Sequence, residues 1–494
     1  MRGKLSGLPG RSSSYATLHS ADSREHKIMA SKLSVVAIVA TLFAGGAQAA
    51  EPEVTALVGG TVIDVSHRGS RARDIPDAIV LLKGDRIAAV GPRDRVTVPP
   101  GASVVDITGK FVIPGLVDGF CGMQSQAEAN AELYEGVTTI AASGDDRRGT
   151  LYIAADPSPH VYPLDGAGTT DDWDLLRNDP AWRDRLAEGA NPQELPADET
   201  KSQLSEIARR GTRGIWIGHN ITAVNAAAIV SQSRALHMVT YGEFIATPYQ
   251  AGIAAGVTSL LHMTRLELGL APPDLIATAA ADPEGKAGKA AYKAVDDVDP
   301  ADPAVGRYGD LLAAHGVAIM PTFSLFYAVL PDHRNLWREP AAAILDAKIT
   351  SFTTDPATGE LPFPTAEARA RVLGYASHAF ALDKVLIAHH VPVLAASGAT
   401  WQGSMPGISM HTELEMLVRA GLSPREALAA ATGNYAELFG WTELGAIEAG
   451  RRADLLVLTQ DPTNDVANAD RIDAVYLAGA KLDREKLLKR AAEN

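Results

Sequence analysis

From residue 54 onward the apolar positions fall in short runs rich in Val and Ile, bounded by turn residues. TALVGGTVIDV (55–65), DAIVLLKGDRIAAVG (77–91) and ASVVDITGKFVIPG (102–115) are of this kind, broken at Lys83-Gly84-Asp85 and at Pro99-Pro100-Gly101. Each run predicts β-strand. The same pattern returns late in the chain, in GAIEAGRRADLLVLT (445–459) and DAVYLAGAKL (473–482). Strands near both ends predict a small β-sandwich that both termini build together around the middle of the chain.

In the middle the period changes. AEANAELYE followed by Gly136 reads as a helix with a glycine C-cap, and VTTIAAS (137–143) as the next strand. TRGIWIGH (212–219), HMVTYGEF (237–244), VTSLLHM (257–263), VAIMPTFSLF (317–326) and VPVLAASG (391–398) are strand-like. TAVNAAAIVSQSRAL, PYQAGIAAG, DLLAAHG and ALDKVLIAHH, set between them, are helical. Strand–helix repeats without hairpin turns predict a parallel sheet in an α/β fold. Their number fits a TIM-like (β/α)8 barrel, whose active site lies at the C-terminal strand ends. Residues 281–306 and 353–364, rich in Asp, Pro and Gly, read as loops or insertions. The expected division is sandwich at 50–112 and 441–494, barrel at 113–440.

Composition changes this picture chiefly at the N-terminus. The chain has 494 residues, 46% hydrophobic and 21% charged, with a net charge of −14. No Lys/Arg stripe stands out, which argues against a nucleic-acid partner. Lys27 and Lys32 precede and enter an apolar run, Leu33–Ala44, which gives way to small residues at Ala47-Gln48-Ala49. This is the plan of a secretory signal peptide cleaved near Ala49, so a periplasmic or secreted protein is expected. Met29 stands where such a signal begins, leaving 1–28 as an over-extended start or an unstructured leader. The run is too short for a membrane span. The single cysteine, Cys121, cannot form an internal disulfide and is expected to be a buried thiol.

The order of β-block, PGLVD (114–118), α/β units and then GISMHTELEMLVRAGLSPREALAAATGNYAELFGWTELGAIEAGRRADLLVL (407–458) resembles the amidohydrolase superfamily. The nearest look is to its imidazolonepropionase-like and prolidase-like members, from about Ala56 to Leu482. The 407–458 stretch combines a helix, a Gly-Leu-Ser-Pro turn with Ser423 as N-cap, a second helix, and G-x-I-x-x-G-x-x-A-D-L leading back to the sandwich. ELYEGVTTI (132–140) is a second match. The resemblance implies a hydrolase of C–N bonds in non-peptide amides or dipeptides. It also implies one or two divalent metals that polarise the carbonyl and activate a water.

The family's ligands are a His-x-His on barrel strand one, often a carboxylated Lys on strand four, a His each on strands five and six, and an Asp on strand eight. Carried across, Asp118 keeps its place, but the histidine positions of strand one fall on Phe120 and Gly122. The lysine falls on Trp216, the strand-five histidine on Gly242 or, shifted by one, Tyr241, and the aspartate on Gly398 or Ala399. His262 on strand six is retained. A phenyl ring and a hydrogen offer no donor. If Phe120 and Gly122 face inward, strand alternation turns Cys121 toward the helices. On this reading no metal is expected, and the chain is a pseudoenzyme or a binding protein.

A second reading keeps catalysis. His219, Tyr241, Glu243 and His262 fall at or near the ends of strands four to six. Two histidines and a carboxylate can hold zinc if they converge. This gives an active hydrolase with a single-metal or metal-free site rebuilt around His262. His237 and the His389-His390 pair precede strands, at the end of the barrel that serves stability, and His411 reads as structural. Ser143 and Ser397 lack a Gly-x-Ser-x-Gly elbow, and no phosphate-binding glycine loop occurs. Phe120 and Trp216 would either line an apolar cavity for a small-molecule ligand or fill the space. By family analogy, copies can associate as homo-oligomers.

Overall fold

A computed structural model describes residues 53–144, 151, 153–167, 196–279, 285–348 and 353–489. The expected signal peptide lies outside them. Val54–Val62 (β1), Ile75–Lys83 (β2) and Arg86–Pro92 (β3) form an antiparallel meander. Its β2–β3 turn carries Gly84 at φ +59°, a left-handed conformation that glycine adopts without a Cβ penalty. Ser103–Asp106 (β4) and Phe111–Pro114 (β5) both run parallel to β1. Leu455–Leu458 (β13), Ile472–Leu477 (β14) and Ala480–Lys481 (β15) extend the same sheet, which runs β15-β14-β13-β5-β1-β2-β3. The pairing of Leu455 with Pro114 and of Leu458 with Phe111 joins the two ends of the chain, as the repeated pattern predicted.

One residue, Gly115, separates β5 from the first barrel strand. A Cβ there would lie 2.1 Å from the Thr138 Oγ1, so the chain can cross into the barrel only without a side chain. Leu116–Cys121 (β6), Val137–Ala142 (β7), His160–Gly166 (β8), Gly214–Ile217 (β9), Val239–Gly242 (β10), Ser259–Leu261 (β11) and Ala318–Met320 (β12) then pair in parallel, in chain order. An eighth, less regular stave closes the gap. On one side Ile319 N donates to Pro392 O (2.8 Å) and Leu394 N to Ile319 O (3.0 Å). On the other, Gly119 N donates to Ala395 O (3.2 Å) and Gly398 N to Phe120 O (3.0 Å). The fold is the TIM-like barrel with a terminal β-domain that the sequence predicted.

Two elements differ from the pattern. β8 reads HVYPLDG, and its proline and aspartate hide the strand period. The Pro163 carbonyl still accepts from Arg213 N at 2.8 Å. The expected loop at 281–306 contains the helix Lys286–Asp296, and the helix Pro303–His315 begins within it. The first buries the small residues Gly288 and Ala291; the second buries Val305, Tyr308 and Leu312 together with Gly306 and Gly309. A Cβ on Gly306 would lie 2.7 Å from the His389 ring, and one on Gly309 2.8 Å from the His389 Cβ. Residues 353–364 carry neither helix nor strand, as expected. Among the described residues no helix is long and apolar enough to cross a membrane.

The barrel wall separates two cores. Outside it, the helices Gln126–Tyr134, Ala223–Ala235 and Ile408–Ala420 pack on residues such as Leu116, Cys121, Ile140, Ile215 and Leu260. Glu413 on the last of these is fully buried, and its Oε2 accepts from Ser324 N at 2.8 Å. Inside, Val117, Phe120, Tyr241, Leu261, Met320 and Leu394 meet Tyr435, Phe439 and Trp441 from the helix Gly433–Phe439 and the turn after it. The interior is a packed core, as in other barrels of this type.

Candidate functional site at the barrel mouth

β6 bulges between Asp118 and Cys121, where its register against β7 shifts. The bulge turns Phe120 inward, against the His262 ring at 5.2 Å edge-to-face and the Tyr241 ring at 6.2 Å. Tyr241 continues to Phe439 (5.5 Å), Phe439 to Tyr435 (5.5 Å), and Tyr435 stacks on Trp441 (5.6 Å). An aromatic column thus runs down the barrel. Cys121 lies on the other side of the wall, buried beside Asp118 and Glu132, the orientation strand alternation predicted. Asp118 is fully buried and accepts Ser397 N at 2.9 Å and the Ser397 hydroxyl. This couples the first and eighth staves and gives Ser397 a structural task.

On β10 the two alignments separate. A Cβ on Gly242 would meet Phe244 and Leu260, which belong to the outer core, whereas Tyr241 points into the barrel. Tyr241 therefore holds the inward position at this level. Its hydroxyl is buried without a hydrogen-bond partner among the described residues, and burial pushes its ionisation well above the usual phenol range. Gly398 sits at φ +66°, and a Cβ there would lie 2.8 Å from the Leu325 side chain. Gly122 N donates to Ala399 O at 2.5 Å.

The polar groups gather above this column. Glu243 follows β10, is 8% exposed, and accepts Trp216 Nε1 at 3.1 Å. Its other oxygen lies 3.0 Å from His219 Nε2 and 3.4 Å from Arg265 Nε. Burial alone would raise its ionisation, but the His219 charge and hydrogen bond, with His262 and Arg265, hold the carboxyl well below the usual range. His262 adopts φ +64°, a costly conformation for a non-glycine residue. Its N–H donates to Met320 O at 2.9 Å, and its Nδ1 is 2.8 Å from the Thr322 hydroxyl. Arg265 and Thr322 were not singled out by sequence. Arg265 follows His262 by three residues, and that spacing is the one signal that could have found it.

The predicted quartet thus divides. His219 and Glu243 form a direct pair with Trp216, while His262 and Tyr241 meet Phe120. Two triplets of His, Cys, Asp or Glu among the described residues bring donor atoms within 4.8 Å of one another: Asp118, Cys121 and Glu132, and Glu135, His411 and Asp470. His219, Glu243 and His262 are in neither, so they do not converge as a shared zinc set. At the positions where the resemblance would put the family's ligands, Phe120, Gly122, Trp216 and Gly398 offer no lone pair for a cation and Tyr241 only a phenol, a set that does not suit such a metal. Away from the mouth, His389 pairs with Asp310 (2.7 Å), His237 is exposed before β10, and buried His411 meets the Glu135 carbonyl (2.9 Å). All three lie away from the mouth and take no part in its polar cluster.

Comparison with known proteins agrees with this architecture. The model of the Amidohydrolase family matches residues 308–482. An imidazolonepropionase from Deinococcus radiodurans is 25% identical over 466 residues, covering 90% of this chain and 99% of its own. The chain resembles amidohydrolases over most of its length. Solved structures share the fold at lower identity. A putative prolidase from Bifidobacterium longum superposes with a TM-score of 0.57 at 18% identity, covering 89% of this chain and 98% of its own. Molinate hydrolase gives 0.58 at 18% identity, covering 88% and 96%. Hydrolases acting on C–N bonds are thus among the proteins this chain resembles.

Proposed function

We propose that this chain is an exported amidohydrolase-superfamily protein that has given up metal-dependent hydrolysis and binds a small molecule at the barrel mouth. The observation that carries this reading is the Phe120 ring packed on His262 and Tyr241. It fills the inward space of the first strand, where the relatives' chemistry calls for a metal ligand. A metal hydroxide needs donors on several staves together with a base. What remains is a ring of fixed polar groups, Trp216, His219, Glu243 and Arg265, above an apolar floor. Such a combination suits recognition.

The His219–Glu243 hydrogen bond of 3.0 Å favours one alternative, a metal-free hydrolase in which Glu243 orients His219 as general base. One assay separates the two. Cyclic amides, N-acyl amino acids and Xaa-Pro dipeptides are offered to the mature protein, with and without added zinc or manganese. No turnover above background is expected. Turnover that rises with metal and vanishes in His262→Ala would overturn the proposal. Metal-independent turnover lost in His219→Ala and Glu243→Gln would favour the alternative. Export is checked by N-terminal sequencing of the secreted chain, which is expected to begin at Ala50.

A further inference from the structure

We propose that Glu135, His411 and Asp470 form a binding site for a divalent cation of the zinc class, on the flank of the molecule away from the barrel mouth. The three come from distant parts of the sequence. Glu135 ends the helix Gln126–Tyr134, His411 lies in the helix Ile408–Ala420, and Asp470 closes the short helical turn Val466–Asp470 that precedes β14. Each offers one donor atom, and the three atoms lie within 4.8 Å of one another. Tetrahedral bonds of about 2.1 Å place donors about 3.4 Å apart, so the set must draw in by little more than about 1 Å.

Two further observations point to a ligand. Glu135 is 4% exposed, and its carboxylate faces His411 Nε2 at 3.7 Å. That nitrogen also meets the Glu135 carbonyl at 2.9 Å, a contact that an ion bound through Nε2 would replace. A buried carboxylate in this position is costly unless a cation compensates it. Secondly, a cavity of about 480 Å³ lined by His411, Asp470, Asp465 and Glu415 opens onto the cluster. It gives an ion a route in and leaves room for water to complete its coordination. Two of the arginines that line it are already engaged, Arg334 with Glu415 (2.6 Å) and Arg419 with Asp332 (3.1 Å).

One imidazole nitrogen with two carboxylate oxygens suits zinc or manganese better than calcium or magnesium, which favour oxygen alone. Bound there, the ion would stitch two barrel helices to the terminal β-domain, and its effect would fall on stability. The site is independent of the reading given to the mouth.

The test uses the full mature chain, stripped with a chelator and titrated with zinc chloride by calorimetry, with Tm followed in parallel. One zinc per chain is expected, with a Tm rise that EDTA reverses. Glu135→Gln and Asp470→Asn should each weaken binding at least tenfold, and His262→Ala should leave it intact. Asp470 is half-buried, so Asp470→Asn serves if Glu135→Gln fails to fold, with circular dichroism as the check. No saturable binding at micromolar zinc, binding unchanged in Asp470→Asn, or binding lost in His262→Ala would each overturn the proposal.

Discussion

Replacing Glu413 by glutamine is expected to flatten the dependence of stability on pH. An ordinary glutamate ionises at 4.5; complete burial, with the Asp118 charge added and the Ser324 hydrogen bonds opposing, pushes Glu413 to about 8. The folded chain therefore keeps a proton that the unfolded chain releases. Its contribution is fully present below pH 4.5 and is lost as pH rises toward about 8. The full displacement corresponds to about 5 kcal/mol. Between about pH 5.5 and 8.5 the share lost is about 3 kcal/mol. In Glu413→Gln the side-chain carbonyl can still accept from Ser324 N, the bond that Oε2 makes at 2.8 Å. The amide takes the place of Oε1, which has no partner among the described residues. Wild type and variant should unfold at similar urea concentrations near pH 5.5. By pH 8.5 the variant should be the more stable by about 3 kcal/mol. Parallel curves across the range would refute the reasoning, because they would mean that Glu413 is either solvated or already ionised.

Other positions give sharp expectations. Phe120→Ala removes a ring that is 5% exposed at the top of the aromatic column and should cost about 3–5 kcal/mol in equilibrium unfolding. A Cβ on Gly119 would lie 1.7 Å from the Tyr435 hydroxyl and 2.4 Å from the Met320 methyl. Gly119→Ala should therefore yield insoluble chain, partly rescued by Tyr435→Phe in a solubility assay. Asp454 accepts Ala478 N at 2.8 Å and Arg452, and lies 3.3 Å from His160 Nε2. Burial opposes its ionisation, but the His160 bond and the Arg452 charge hold it below its usual range, so its stabilisation is present above pH 3.8 and is lost on acidification. Asp454→Asn should cost about 3 kcal/mol at neutral pH and unfold with less dependence on acid.

The sequence carried the architecture because the signals there are local. Val/Ile runs broken at Gly84 and at Pro99-Pro100, the Ser423 capping box and the glycine after Glu135 each fix an element within a few residues. Elements whose packing is not local escaped it. β8 is a strand despite Pro163 because both neighbours hydrogen-bond to it, and the first turns of the helix Pro303–His315, ahead of the DLLAAHG that sequence reads as helical, hide behind glycines matched to a histidine some eighty positions away. The site was legible as a list and not as a geometry. Pattern placed His219, Tyr241, Glu243 and His262 at one end of the barrel. It could not say that Glu243 would turn to His219 while Phe120 claimed His262, since that choice depends on a bulge in β6.

The β5–β13 ladder has a consequence for how the molecule is made. Its register joins Pro114 to Leu455, so the N-terminal sandwich strands leave the ribosome long before their partner. At about 5–20 residues per second the interval is roughly 20–70 seconds. Throughout it, β5 offers an open strand edge, a template for pairing with other nascent chains. Vectorial synthesis thus makes the molecule vulnerable at the sheet that finally clasps it. Overproduction should be limited by capture of that edge while the barrel is still being translated.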